Sequence, residues 1–329
     1  MSHLLKSRSR NSAFTLVEIL IVIAIIGVLV SLAAVGVMTA LEKGKSVAAR
    51  TEISQLESAI AAAKQNFGGV DNLPSAIKLH SRADSLMADN TQIAINTKNF
   101  LTKAFGKAWI PLPNPTTLVY SSTPYMYWMG AGYTGTYPVT LTGMEALVFW
   151  LGGGRDGSGT FQGFSSNPAA PWGTGNASYK IKGPFYEFDA VRVLPINIDP
   201  LTGKISNLPP PSSVTVSTFV DRWNGSYAYF SSADYSNFSR TVASGGYGAY
   251  SATGGSISPL LRATNTFYNP KTFQIISAGP DQIFGKGSFG GGTTFGLIHT
   301  PGSGDYLVGA PGYDDLANFS STLLGKKDE

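Results

Sequence analysis

Cysteine is absent from the 329 residues, and histidine occurs only at His3, His80 and His299. The first absence removes disulfides, thiolate metal sites and cysteine nucleophiles. An exported domain of this chain must therefore be held by its core, by a hard metal ion or by its neighbours in an assembly. The second leaves little imidazole chemistry. His80 and His299 could meet in space, yet with no recognisable nucleophile they are more simply surface or hydrogen-bonded residues. No G-x-S-x-G elbow and no H-E-x-x-H pair occurs, which removes two common hydrolase signatures. Gly130-Ala-Gly132-Tyr-Thr-Gly135 fits a dinucleotide loop in spelling alone, because Tyr137-Pro138 follows where a helix must open. Gly285-Lys286 is followed by Gly287 where a P-loop needs Ser or Thr. A hydrolase working through paired carboxylates stays compatible with the sequence.

Charge is also scarce: 13% of the residues are charged and the net charge is +4. Lys6, Arg8 and Arg10 supply three of those positive charges, so the rest of the chain is nearly neutral. No basic face with interleaved aromatics occurs, and no nucleic-acid partner is expected. The 38 glycines and 19 prolines lie nearly all beyond Phe67. They point to turns and long loops in a β-rich outer domain.

What the chain does have is a long apolar run. Residues 19–41 carry no charge, and Glu18 is the only charge in 14–41. At ~1.5 Å per residue that run reaches ~35 Å as a helix, enough to cross a ~30 Å hydrocarbon core. The basic stretch 1–13 precedes it without an acid, so the N-terminus is expected in the cytoplasm and the C-terminal bulk outside. A secretory signal peptide fits less well. Its core is shorter, and Ala40, the best small residue near the end of the run, has Met38 two positions earlier. An acid at membrane depth costs ~2.5–3.5 kcal/mol, so Glu18 implies a cationic partner. No Lys, Arg or His lies within the run, so that partner must come from another chain or from a new N-terminus. The plainer alternative is a single-span anchor whose Glu18 reaches the cytoplasmic interface.

Ala13-Phe14-Thr15-Leu16-Val17-Glu18, behind a basic leader and ahead of an apolar helix, resembles the signature of type IV prepilins and type II secretion pseudopilins. The resemblance implies cleavage between Ala13 and Phe14 by a prepilin peptidase and methylation of the new Phe14 amine. It also makes Glu18 the fifth mature residue, paired in a filament with a neighbour's Phe14 ammonium. Two departures stand out: Ala13 stands where the family usually has Gly, and no Pro interrupts residues 14–67. The helical pattern continues past Leu41. Ala49, Ile53, Leu56, Ile60, Ala63 and Phe67 form one apolar stripe, Arg50, Glu52, Glu57 and Lys64 fall elsewhere, and Gly68-Gly69 ends the helix. The expected domains are a leader 1–13, a transmembrane helix 14–41, its amphipathic outer half 42–67 and an extracytoplasmic domain 68–329. The expected fold class is α+β and pilin-like, with a long N-terminal helix whose outer half packs on an antiparallel β-sheet, and with long loops.

Weak helical character is read over 75–87 and 97–105. The aromatic segment from Trp109 to Tyr133 reads mainly as buried strands and Pro-anchored loops; the other reading is a binding surface. Thr142-Gly-Met-Glu145 has the form of a capping box, opening a short helix through Leu151 that ends at Gly152-Gly153-Gly154. Strands are expected over 190–198, 213–220 and 226–231. Segments beginning at Ala146, Lys182 and Tyr227 are similar, more loosely, to enlarged outer domains of pseudopilin-like proteins from planctomycete-type bacteria. An apolar strand from Phe273 runs into Gly279-Pro280-Asp281, which resembles the turn near the end of major pseudopilins. That family binds calcium in this region through carboxylates and carbonyls. The resemblance makes Asp281, Asp314, Asp315 and Asn318 candidate calcium ligands, with Asp305 a weaker one. Acids in Gly-rich turns also serve as turn formers alone.

The function expected is that of a non-enzymatic filament subunit stored in the inner membrane. Its partners are a prepilin peptidase, identical or related pilin subunits and an inner-membrane assembly machinery. The alternative is a single-span, membrane-anchored extracellular binding module for polysaccharide or protein.

Overall fold

The computed structural model describes residues 15–80, 83–106, 138–155, 160–166, 180–195, 197–198, 205–206, 217–225, 227–235, 249–250, 256–264, 266–285 and 297–326. Ala13, Phe14, the rest of the leader and the aromatic segment 109–133 lie outside them. Two units are distinguished, Met1–Lys45 and Ser46–Glu329.

Helix α1 runs over Leu16–Asn66. Its sequence holds no proline and abounds in Ala, Leu and Ile, so no residue breaks the ladder. Within Met1–Lys45, every large apolar side chain from Leu16 to Leu41 is about half exposed or more, and the helix is long and apolar enough to cross a membrane. Its hydroxyls are satisfied on the helix itself: Ser31 Oγ donates to the Val28 carbonyl at 2.8 Å and Thr39 Oγ1 to that of Val35 at 3.0 Å. Between Ile19 and Leu41 these two hydroxyls thus need no water to satisfy them.

Within Ser46–Glu329, the second half of α1 buries Ala49, Ile53, Leu56, Ile60, Ala63 and, just past its end, Phe67, as the stripe predicts. Gly68 and Gly69 both have positive φ; Gly69 N–H reaches the Lys64 carbonyl and Gly68 N–H that of Gln65. This is the Schellman pattern, available to glycine because it lacks a Cβ. Phe67 then sits among Phe100, Phe105, Trp150, Phe164 and Phe185, with ring centroids 5.5–6.1 Å away. All five contacts are edge-to-face, the arrangement that ring quadrupoles favour.

Residues 75–87 depart from the helical expectation. Ala76–Leu79 forms strand β1, and helix α2 covers only Ala83–Ala88, followed by α3 over Gln92–Phe105. Pairing decides this: β1 lies antiparallel to β2, Val139–Thr142, with Ala76 opposite Thr142. Helix α4, Met144–Gly152, follows at once and is buried along its whole length. Thr142 remains in its strand, the N-cap position is Gly143 at φ 58°, and no side chain caps it. Of the capping box expected there, Glu145 reaches the Thr142 N–H, but no Thr142 side-chain bond closes the pair.

Strands β3 (Gly154–Arg155), β4 (Phe161–Ser165) and β5 (Ile181–Lys182) make one small sheet. In place of a continuous strand over 190–198 there is a 3-10 turn, Ala190–Arg192, then β6 (Val193–Pro195) and β7 (Asn197–Ile198). Next come β8 (Ile205–Ser206), β9 (Ser217–Phe219) and β10 (Tyr227–Ser231), with β7 pairing β8 and β6 pairing β9. The later strands are β11 (Ala249–Tyr250), β12 (Ser256–Ile257), β13 (Leu260–Ala263), β14 (Thr266–Phe267), β15 (Phe273–Ser277), β16 (Leu297–Ile298) and β17 (Leu316–Ala317). The fold is α+β as expected, a long N-terminal helix with antiparallel sheets; these are several and short, and β13 with β16 is parallel.

The antiparallel sheet β10-β15-β17 divides the interior. Tyr227, Tyr229, Phe273, Ile275 and Leu316 face the core that contains the α1 stripe. Ala228, Phe230, Ile276 and Ala317 face a second core with Tyr306, Phe284 and Leu324. Side chains alternate across a strand, so burial on both faces needs apolar residues at successive positions, as at Tyr227–Phe230 and Ile275–Ile276, while the buried Gln274 is satisfied by bonds to the Leu260 backbone.

Candidate functional site

The N-terminal site begins at Thr15. Its backbone N–H donates to Glu18 Oε2 at 2.8 Å and its hydroxyl to the same oxygen at 2.9 Å, while Glu18 N–H donates back to Thr15 Oγ1 at 3.3 Å. This reciprocal pair is a capping box, and the structure forms it at Thr15–Glu18 rather than at Thr142–Glu145, which has the same T-x-x-E spelling. Glu18 therefore has polar donors on its own chain before any partner arrives. Ala13 and Phe14, the expected processing site, lie outside the described residues.

A cluster of candidate groups lies at one end of the central sheet. Asp281 follows β15, Asp314 and Asp315 precede β17, and Asp221 lies shortly before β10. Gly279 presses on the Asp314 carbonyl so closely that a Cβ would come within 2.5 Å, and its φ is 70°. Asp281 N–H points at Asp314 Oδ2 at 3.3 Å. Burial, then the charge of Asp281, pushes the Asp314 carboxyl up to about 6. Burial also raises Asp281. Asp315 lies well above the usual carboxylate range, through burial first and then Asp314, Asp281 and Asp221. Its Oδ2 accepts from Gly285 N–H at 3.0 Å, whereas its buried Oδ1 has no partner among the described residues.

Asn318 stands apart. Its Oδ1 accepts from Ile275 N–H at 3.0 Å, and its Nδ2 donates to Glu57 Oε1 at 3.0 Å and to the Phe273 carbonyl at 3.3 Å. Asp305 lies in the 3-10 turn Gly304–Tyr306. Among the described residues, no three side chains of Asp, Glu or His converge as a metal cage. The sequence reading passed over Asp221, which is fully buried: its Oδ1 accepts from Trp223 and Gly225 N–H, and Oδ2 from the Ser277 hydroxyl at 2.6 Å.

Sequence reasoning also misplaced Glu52. It lies in the buried stripe of α1 at 2% exposure, accepting two bonds from the Arg192 guanidinium, one from the Tyr227 hydroxyl at 2.5 Å and a longer one from Arg222. The signal was present, since Glu52 is three residues after Ala49 and four before Leu56. The two histidines do not meet. His80 bonds Asp89 at 2.9 Å, and His299 bonds the Leu324 carbonyl and the Tyr268 hydroxyl.

Residues 8–34 match the family model described as the prokaryotic N-terminal methylation motif. The chain thus has a prepilin-like N-terminus, and the match covers nothing beyond residue 34. No curated protein and no solved structure matches the chain.

Proposed function

We propose that this prepilin-like chain is a structural subunit of a type IV pilus-like or type II secretion pseudopilus filament. The observation that carries the reading is Glu18, capped by Thr15 at the start of an exposed apolar helix and inside the matched motif. A prepilin peptidase cuts between Ala13 and Phe14 and methylates the new amine. The helix holds the subunit in the inner membrane, N-terminus inside and outer domain outside, until the assembly machinery draws it into a filament of identical or related subunits. There the apolar faces supply cohesion, and the Glu18 carboxylate of one subunit meets the Phe14 ammonium of another.

The acidic turn fits a hard divalent cation in part. Asp281 and Asp314 lie together, and Asp315 keeps a buried oxygen unpartnered. Asn318 has both amide atoms engaged elsewhere. Calcium, if held here, would draw on these aspartates and nearby carbonyls and would screen their mutual repulsion.

The test is the N-terminal sequence and mass of the protein recovered from producing cells. A chain beginning at Phe14 and heavier by one methyl group supports the reading. A chain beginning at Met1 or Ser2 replaces it with an uncleaved membrane anchor.

A further inference from the structure

Asn318 is bonded on three sides, and its partners belong to two different elements. Its carbonyl oxygen receives the Ile275 N–H of β15, and its amide nitrogen donates to Glu57 on α1 and to the Phe273 carbonyl of β15. Its own backbone N–H continues the β17 ladder to the Ile275 carbonyl. Two residues further on, the Ser320 carbonyl accepts from Arg50 Nη1 at 3.3 Å. Asp315 and Asn318 are separated only by β17, a span of ~10 Å at ~3.3 Å per residue. At the near end, Asp315 holds Gly285 N–H, and Asp314 is packed against Gly279. The short strand thus joins the acidic turn to the outer half of α1 with no flexible segment between them. β17 is also fixed in register to β15, Ile276 opposite Ala317 and Ser277 opposite Leu316.

We infer that Asn318 is a positioning residue that transmits the state of the acidic turn to α1 through its bond to Glu57. Whatever fixes Asp281 and Asp314, a bound divalent cation first of all, also fixes β17 and tightens the seat of α1 on the central sheet. This rests on the cation reading for its trigger, not for its route. Glu57 is the place to cut the route, because its removal leaves the bonds of Asn318 to β15 in place.

The experiment is hydrogen–deuterium exchange on the full chain in detergent micelles, with calcium chloride or with a chelator. In the unaltered protein, calcium slows exchange severalfold in peptides of the acidic turn and in α1 around Glu57. Glu57→Ala keeps the first response and loses the second. Glu57→Gln, which retains an accepting oxygen, restores it. An α1 response that survives in Glu57→Ala, or a turn response without any α1 response in the unaltered protein, overturns the inference. If calcium changes neither region, the cation reading fails by itself. Asp314→Asn then serves as the trigger, and the same comparison between Glu57→Ala and Glu57→Gln decides the route.

Discussion

Glu145 shows how one side chain sets a pH response. It is buried in α4, and burial pushes its carboxyl up to about 8 against the opposing backbone N–H groups of Glu145 and Thr142. Between the ordinary value of 4.5 and about 8, the folded chain therefore holds a proton that the unfolded chain has released. The stabilising contribution is complete below 4.5 and is lost as pH climbs through about 8. Glu145→Gln should flatten that slope and raise stability near pH 8 by on the order of 3 kcal/mol. Urea unfolding of the full chain in detergent at several pH values checks this. Glu52 is another buried acid of the fold: it accepts bonds from the Arg192 guanidinium and the Tyr227 hydroxyl, at a 3–4 spacing that belongs to the stripe.

Elements were legible where one local signal dominated. The α1 stripe, the glycine stop at Gly68-Gly69, α4 ending at Gly152 and the strands from Tyr227 and Phe273 were all readable, because periodicity and glycine act within a few residues. Ala76–Leu79 was not, because its strand character comes from a partner at 139–142. Close backbone approaches were hidden for the same reason. A Cβ on Gly153, whose φ is 77°, would stand 2.2 Å from the Gly163 carbonyl oxygen. Gly153→Ala should force the end of α4 away from β4 and destabilise the domain by roughly 3 kcal/mol or more, read as a lowered unfolding midpoint.

For the whole molecule, the prepilin-like character of the N-terminus was written in a short motif and was legible there. The fold of residues 46–329 follows from contacts between segments far apart in the chain. Asp221 illustrates this: nothing near it in sequence places it against Ser277. At this scale the filament reading makes a sharp prediction. Glu18→Ala should leave the protein in the membrane fraction and sharply reduce filaments recovered by shearing; normal filaments from that variant would refute the charge pairing. Helix α4 carries a consequence of a different kind. Its residues Met144–Gly152 are apolar almost throughout and pack against β9 and β10, which follow much later in the chain. During synthesis this segment emerges well before the strands that cover it. For that interval the nascent chain exposes an aggregation-prone apolar segment, and a holding chaperone present during synthesis is expected to raise its yield.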